Sequence, residues 1–253
     1  MSLFQFLRSL LFLFFVPLVT CTVCVIALID ISVFKRSTVK AQKYPRAWAR
    51  VLLLIAGIRV RVTGMENLDP QATYVFAGNH TSQLDIYSFQ GYFPHDFRWI
   101  AKKELFKIPI FGLAMRKVGV ISIDRSRGRE ALKSLSQAAN RISDGSSVLI
   151  FPEGTRSRDG KLQPFKAGAF LLAIKSGVPV IPIGFNNASQ LLPKGKLLPK
   201  SGEIILRIGP PIPTTGYQAR DKQKLAALLH DRVAQLLDKQ HLPTEESHKP
   251  EPS

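Results

Sequence analysis

The chain has 253 residues, 45% of them hydrophobic, which suits one domain or one domain with an appendage. Thirty-five basic against 18 acidic residues give a net charge of +17, so an anionic partner is expected: nucleic acid, an anionic membrane or a phosphorylated substrate. Both cysteines, Cys21 and Cys24, lie in an N-terminal apolar run without His or Cys companions, which argues against zinc or disulfide chemistry and gives no sign of an oxidising compartment.

That run, Ser9 to Ile29, holds 21 residues without a charge, long enough to cross a hydrocarbon core. Arg8 precedes it, and Lys35, Arg36, Lys40, Lys43, Arg46 and Arg50 follow, which places the C-terminal side in the cytoplasm. A cleavable signal peptide is the weaker reading, since the run is too long for one and no clear small-x-small site follows it. Pro17 near its middle leaves two forms of anchor, a transmembrane helix or a helical hairpin in one leaflet. Residues 1–46 are thus expected to form the anchor, 47–242 an α/β domain, and 243–253, rich in Pro, Glu and Ser, a disordered tail. The stretch 51–58 is too short to span and reads as interfacial or core. Val60 and Val62 alternate with Arg59 and Arg61 as in an edge strand.

Strands are then expected at 73–78, 97–101, 120–123, 147–150, 178–183 and 204–208, with helices near 86–92, 111–118, 130–142 and 166–176 and a last amphipathic one from Leu225 to Leu237. Pro179 and Pro182 suggest that the strand 178–183 lies near an edge or is irregular. Strands alternating with helices predict a mixed, mostly parallel sheet flanked by helices.

Two strand ends carry the chemistry, as open α/β sheets arrange it. After residues 73–78 comes Asn79-His80-Thr81-Ser82-Gln83-Leu84-Asp85. On a continuous helix the side chains of His80 and Asp85 diverge by about 140°. If a helix starts after a turn at Thr81-Ser82, Asp85 can reach back, fix the imidazole tautomer and leave the other ring nitrogen as a base. The competing structural reading makes Ser82–Asp85 a capping box that only holds the helix start. After residues 147–150 comes Phe151-Pro152-Glu153-Gly154-Thr155-Arg156-Ser157. Arg156 offers a planar fork for a phosphate, with Arg125 as a second grip. Lys102, Lys103 and Lys166 are further anion contacts, and Glu153 at a strand end needs a partner. There is no Gly-x-Ser-x-Gly elbow, Walker loop or nicotinamide fingerprint.

These two stretches resemble the 1-acylglycerol-3-phosphate O-acyltransferase (lysophosphatidic acid acyltransferase) family. So do Gly119–Arg125, Val178–Ile183, Lys102-Lys103-Glu104-Leu105 and Phe165-Lys166-x-Gly168, and the blocks keep the family's order over roughly residues 45–215. The resemblance implies acyl transfer from an acyl-coenzyme A or acyl-carrier-protein thioester to the sn-2 hydroxyl of lysophosphatidate, giving phosphatidate. His80 would be the general base oriented by Asp85. Arg156, helped by Arg125, would hold the acceptor phosphate, in a substrate site that includes Gly154, Thr155 and Lys102. Glu153 would position the acceptor or the arginine, and Val178–Ile183 would line or support the pocket. No cofactor, metal or nucleic acid is implied, and the expected location is the cytoplasmic face of a membrane, a bacterial inner membrane before the endoplasmic reticulum. The alternatives are another lysolipid acceptor, a lipid-ester or thioester hydrolase using the same pair, or a non-enzymatic basic module. The scattering of the basic residues disfavours the last.

Overall fold

The computed structural model describes residues 3–123 and 129–243. Helix α1 (Leu3–Phe34) is one continuous helix of 32 residues, about 48 Å long. It runs through Pro17, so no hairpin forms within 9–29. Proline removes a single i→i−4 bond, and the flanking turns are held by tertiary packing. A short helix α2 (Thr38–Ala41) leads into α3 (Lys43–Ala56), which ends at Gly57 in the left-handed conformation, φ 70°. α1 packs against α3 and is not a detached appendage, since Phe12 belongs to the main core. Its inward stripe is Ser9, Phe12, Cys24, Ala27 and Ile31. Arg8 Nε and Nη2 donate to the carbonyls of Ile55 and Leu54 at the C-terminal end of α3, and the Trp48 indole donates to Thr20 Oγ1. Leu52, Leu53 and Ala56 enter the core, whereas Val51 and Leu54 stay exposed.

The following elements are β1 (Ile58–Thr63), β2 (Val75–Gly78), α4 (Leu84–Tyr92), β3 (Arg98–Lys102), α5 (Phe111–Lys117), β4 (Ile121–Ile123), α6 (Arg129–Ser143), β5 (Val148–Ile150), α7 (Leu171–Ser176), β6 (Val180–Asn186), α8 (Ala188–Leu191), β7 (Gly202–Ile208) and α9 (Lys222–Gln235). The described strands form one sheet in the order β1-β7-β6-β2-β5-β3-β4, parallel except where β6 meets β7. Strand β1 is an edge, as its alternation predicts. Alternate residues of β2 feed two cores, Phe76 on one face and Val75 and Ala77 on the other. The side with Phe76 gathers an aromatic cluster of Phe89, Phe93, Phe97 and Phe185, with ring centroids 3.9–5.9 Å apart for the pairs Phe89–Phe93, Phe76–Phe93, Phe89–Phe97 and Phe89–Phe185.

The expectation for 178–183 needs correcting. The strand starts at Val180, runs to Asn186 and lies inside the sheet with every residue buried. Pro182 is tolerated because its carbonyl accepts from Gly209 N–H at 2.9 Å, so its nitrogen faces the same side. There residues 209–211 leave the ladder, between the last β7 pair at Ile208 and the isolated bridge Val180↔Ile212. No donor is missed at that point. The expected tail lies beyond the described residues, apart from its first position, 243.

Candidate active site

Strand β2 ends at Gly78, and Asn79 ties the following loop to the sheet. Its side chain accepts from Phe185 N–H at 2.8 Å and donates to Phe185 C=O at 3.0 Å, a side chain continuing the ladder where the backbone turns away. The chain turns at Thr81-Ser82, and α4 begins at Leu84. Asp85, wholly buried in the first turn, reaches back. Its Oδ2 accepts from Thr81 N–H (2.7 Å), Ser82 N–H (2.8 Å) and the His80 Nδ1 position (2.9 Å). The capping and imidazole-orienting readings therefore coexist in one carboxylate oxygen. The capping is not a reciprocal box, because Ser82 Oγ accepts from Leu84 N–H and donates to Leu192 C=O at 2.7 Å.

His80 is fixed on every side but one. Its ring stacks on Phe151 at 3.9 Å between centroids and 10° between planes. Its carbonyl accepts from Ser157 N–H at 2.8 Å, and its own N–H donates to Glu153 Oε1 at 3.1 Å. With Nδ1 donating to Asp85, Nε2 is the unprotonated nitrogen, and His80 borders a cavity of about 640 Å³. The two side chains are buried unevenly, 13% exposed at His80 and 0% at Asp85.

Of the two partners the resemblance offered Glu153, the acceptor and the arginine, only the second bears on these contacts. The Glu153 carboxyl bonds the main chain of His80 and meets no arginine among the described residues, while Oε2 is buried without a partner. Burial pushes its pKa up to about 8, against hydrogen bonds from His80 and Gln163 that lower it; the charges of Asp85 and Asp159 add to the rise. Gly154 follows at φ 77°, where any Cβ would also stand 2.9 Å from Lys166 Nζ. That turn aims Thr155 and Arg156 into the cavity. The half-buried Arg156 guanidinium has no hydrogen bond or ion pair among the described residues, and the exposed Lys102 lies on the same cavity wall. Arg125 lies outside the described residues. Val178–Ile183 does not line the cavity and only supports it through β6.

Most of the remaining wall is apolar: Val23, Cys24 and Ala27 from α1, Pro45 and Trp48 from α3, and Phe111, Ala114 and Met115 from α5. Gln90 also faces it, with its carbonyl bonded to the Trp99 indole at 2.6 Å. One contributor was not singled out in the sequence. Lys194 donates to Arg156 C=O at 2.6 Å and to Thr155 Oγ1 at 3.3 Å, holding the turn from outside the cavity. No motif marks it, since lysines are common in this chain and its contact is with backbone 38 residues away.

Residues 59–186 match the family model described as Acyltransferase. The chain is 38% identical over 189 residues to "1-acyl-sn-glycerol-3-phosphate acyltransferase alpha" of Homo sapiens, across 73% of this chain and 65% of that protein. It is 29% identical over 193 residues to "1-acyl-sn-glycerol-3-phosphate acyltransferase" of Borreliella burgdorferi, across 76% and 77%. It thus spans somewhat less than two thirds of the mammalian relative. Among solved structures, the 1-acyl-sn-glycerophosphate (LPA) acyltransferase PlsC from Thermotoga maritima aligns with a TM-score of 0.76 and 28% identity, over 91% of this chain and 95% of that one.

Proposed function

The chain belongs to the acyltransferase family, and from that premise we propose that it transfers a fatty acyl group from a coenzyme A or carrier-protein thioester to the sn-2 hydroxyl of 1-acylglycerol-3-phosphate, forming phosphatidate. The observation that carries this is the His80–Asp85 pair, bonded at 2.9 Å at the edge of an apolar cavity, with Arg156, which has no hydrogen bond or ion pair among the described residues, on the same wall. His80 Nε2 takes the proton of the acceptor hydroxyl as its oxygen attacks the thioester carbonyl. The tetrahedral intermediate expels the thiolate, which recovers that proton from the imidazolium. Asp85 holds the tautomer and stabilises the transient cation. Because the thioester is already activated, no acyl-enzyme is required, and positioning supplies much of the rate.

Arg156 grips the acceptor phosphate, with Lys102 and Arg125 as further cations, and the Gly154-Thr155 turn presents that arginine. Glu153 fixes the main chain of His80 and, neutral below about pH 8, adds no repelling charge beside the phosphate. The apolar wall receives acyl chains, and its size falls within the usual range of ligand sites. Residues 1–46 serve as membrane anchor, 47–242 as catalytic domain and 243–253 as tail. Since α1 docks on the domain from Arg8 to Ile31, its outer apolar face lies along one leaflet instead of crossing to the other side. The basic segment after α1 favours the anionic cytoplasmic leaflet, in a bacterial inner membrane before the endoplasmic reticulum.

Purified protein with labelled oleoyl-coenzyme A, or the carrier-protein thioester, and lysophosphatidate should form phosphatidate. His80→Ala should lower the rate by about 10²–10⁴ without loss of folding, the usual worth of a positioned base. Phosphatidate formed equally fast by His80→Ala would remove the base assignment. Release of free fatty acid without acceptor, as fast as transfer, would favour the hydrolase.

A further inference from the structure

The segment from Lys103 to Lys117 carries an apolar surface that the chemistry at His80 does not use. It consists of a 3-10 turn, Lys103–Lys107, and α5. Phe106, Gly112, Ala114 and Met115 face inward, so the segment has its own small interior. Three large apolar side chains nevertheless point out, away from the cavity lining: Ile108 at 46% exposure, Ile110 at 48% and Leu113 at 46%. Ile110 sits at φ 62°, ψ −59°, with Phe111 N–H donating to the Pro109 carbonyl, a γ-turn of the strained hand. A β-branched residue rarely adopts this conformation, and here it keeps an isoleucine at the tip of an exposed loop.

We infer that this turn and helix are a second lipid-contacting surface, which dips Ile108, Ile110 and Leu113 into an anionic leaflet at the mouth of the cavity. Charge and continuity favour a lipid surface. The exposed Lys102, Lys107 and Lys117 flank the apolar tip, as headgroup contacts flank an interfacial insertion. α5 packs on α1, and the same C-terminal half of α1 exposes Ile26, Ile29 and Val33. Leu105 and Phe111 of the same segment line the cavity. A lipid acceptor can therefore pass from the leaflet to His80 along apolar surface without crossing water.

The inference rests on α1 facing lipid, and the test separates the two. In the full chain with Cys21→Ser and Cys24→Ser, an environment-sensitive fluorophore is attached in turn at Leu11→Cys, Ile110→Cys and Lys224→Cys. Vesicles of phosphatidylglycerol carrying a doxyl quencher on the acyl chain are then added. The expected result is severalfold quenching at 11 and 110 and none at 224 on α9. Quenching at 11 alone leaves α1 in the membrane and overturns the second surface; no quenching at either position overturns both. Shielding of position 110 by an acidic carrier protein but not by vesicles overturns it in favour of protein docking. Should the cysteine replacements unfold the protein, hydrogen exchange of the unmodified chain decides. Amides 108 and 110–113 must slow severalfold on vesicles, and unchanged exchange there refutes the inference.

Discussion

At the scale of single residues the site is a set of buried polar groups whose partners limit what each can do. Asp85 spends Oδ2 on three donors, which is why a group five residues from His80 can orient it. That reach was readable from the spacing alone, given a helix starting between the two residues. The setting of Glu153 was not, because its partner is a backbone N–H 73 residues away and backbone donors leave no mark in a sequence. Its burial has a consequence for stability. Folded, Glu153 titrates near 8, and unfolded, near 4.5. Between those values the folded chain keeps a proton that the unfolded chain has released, so this group makes stability fall as pH rises through that window, by a few kcal/mol at most. Glu153→Gln keeps an oxygen for the His80 N–H and removes the titration. Thermal unfolding from about pH 5 to 8 should therefore show a falling midpoint in the wild type and a flatter profile in the variant. Parallel profiles would mean that Glu153 is charged in the fold.

At the scale of elements, the two loops are held together by a piece of chain that neither motif contains. After α8, Leu192 accepts from Ser82 of the first loop, and Lys194 donates to Thr155 and Arg156 of the second. The helix α8 itself goes unnoticed in the sequence, since four residues show no periodicity. The misplaced proline strand has a similar origin. Pro182 signals a missing donor, and only the tertiary path of residues 209–211 shows that none is needed there. Long-period features, by contrast, were legible: the strand–helix alternation, the edge strand β1 and the stripe of α9 follow from local pattern. Lys194→Met should loosen the Gly154–Arg156 turn while sparing the core. The expected outcome is a KM for lysophosphatidate raised about tenfold, the worth of one charge-assisted bond, with kcat and unfolding temperature little changed. A fall in kcat at unchanged KM would show that Lys194 acts on His80 and not on the phosphate loop.

At the scale of the whole molecule, two forces draw the protein to a membrane, and salt tells them apart. The net charge of +17 attracts anionic lipid from a distance, but that attraction is screened over about 10 Å at 0.1 M salt and about 3 Å at 1 M. The outward face of α1 acts differently. Phe4, Leu7, Leu11, Phe14 and Leu18 are all at least half exposed, and each such side chain gains about 1.5–3 kcal/mol on leaving water. Five of them outweigh what charge can supply at high salt, because apolar transfer is not screened. Binding to phosphatidylglycerol vesicles should therefore weaken with salt yet persist at about 1 M. Binding to neutral phosphatidylcholine should be nearly independent of salt. The double change Leu11→Asp and Phe14→Asp should abolish the salt-resistant part while leaving the weak, salt-sensitive attraction to anionic vesicles. Both positions face outward, so the fold should survive the change, and circular dichroism can check it. Complete release of the wild type by salt would mean that charge alone holds it, and that the apolar face of α1 is covered by something other than lipid.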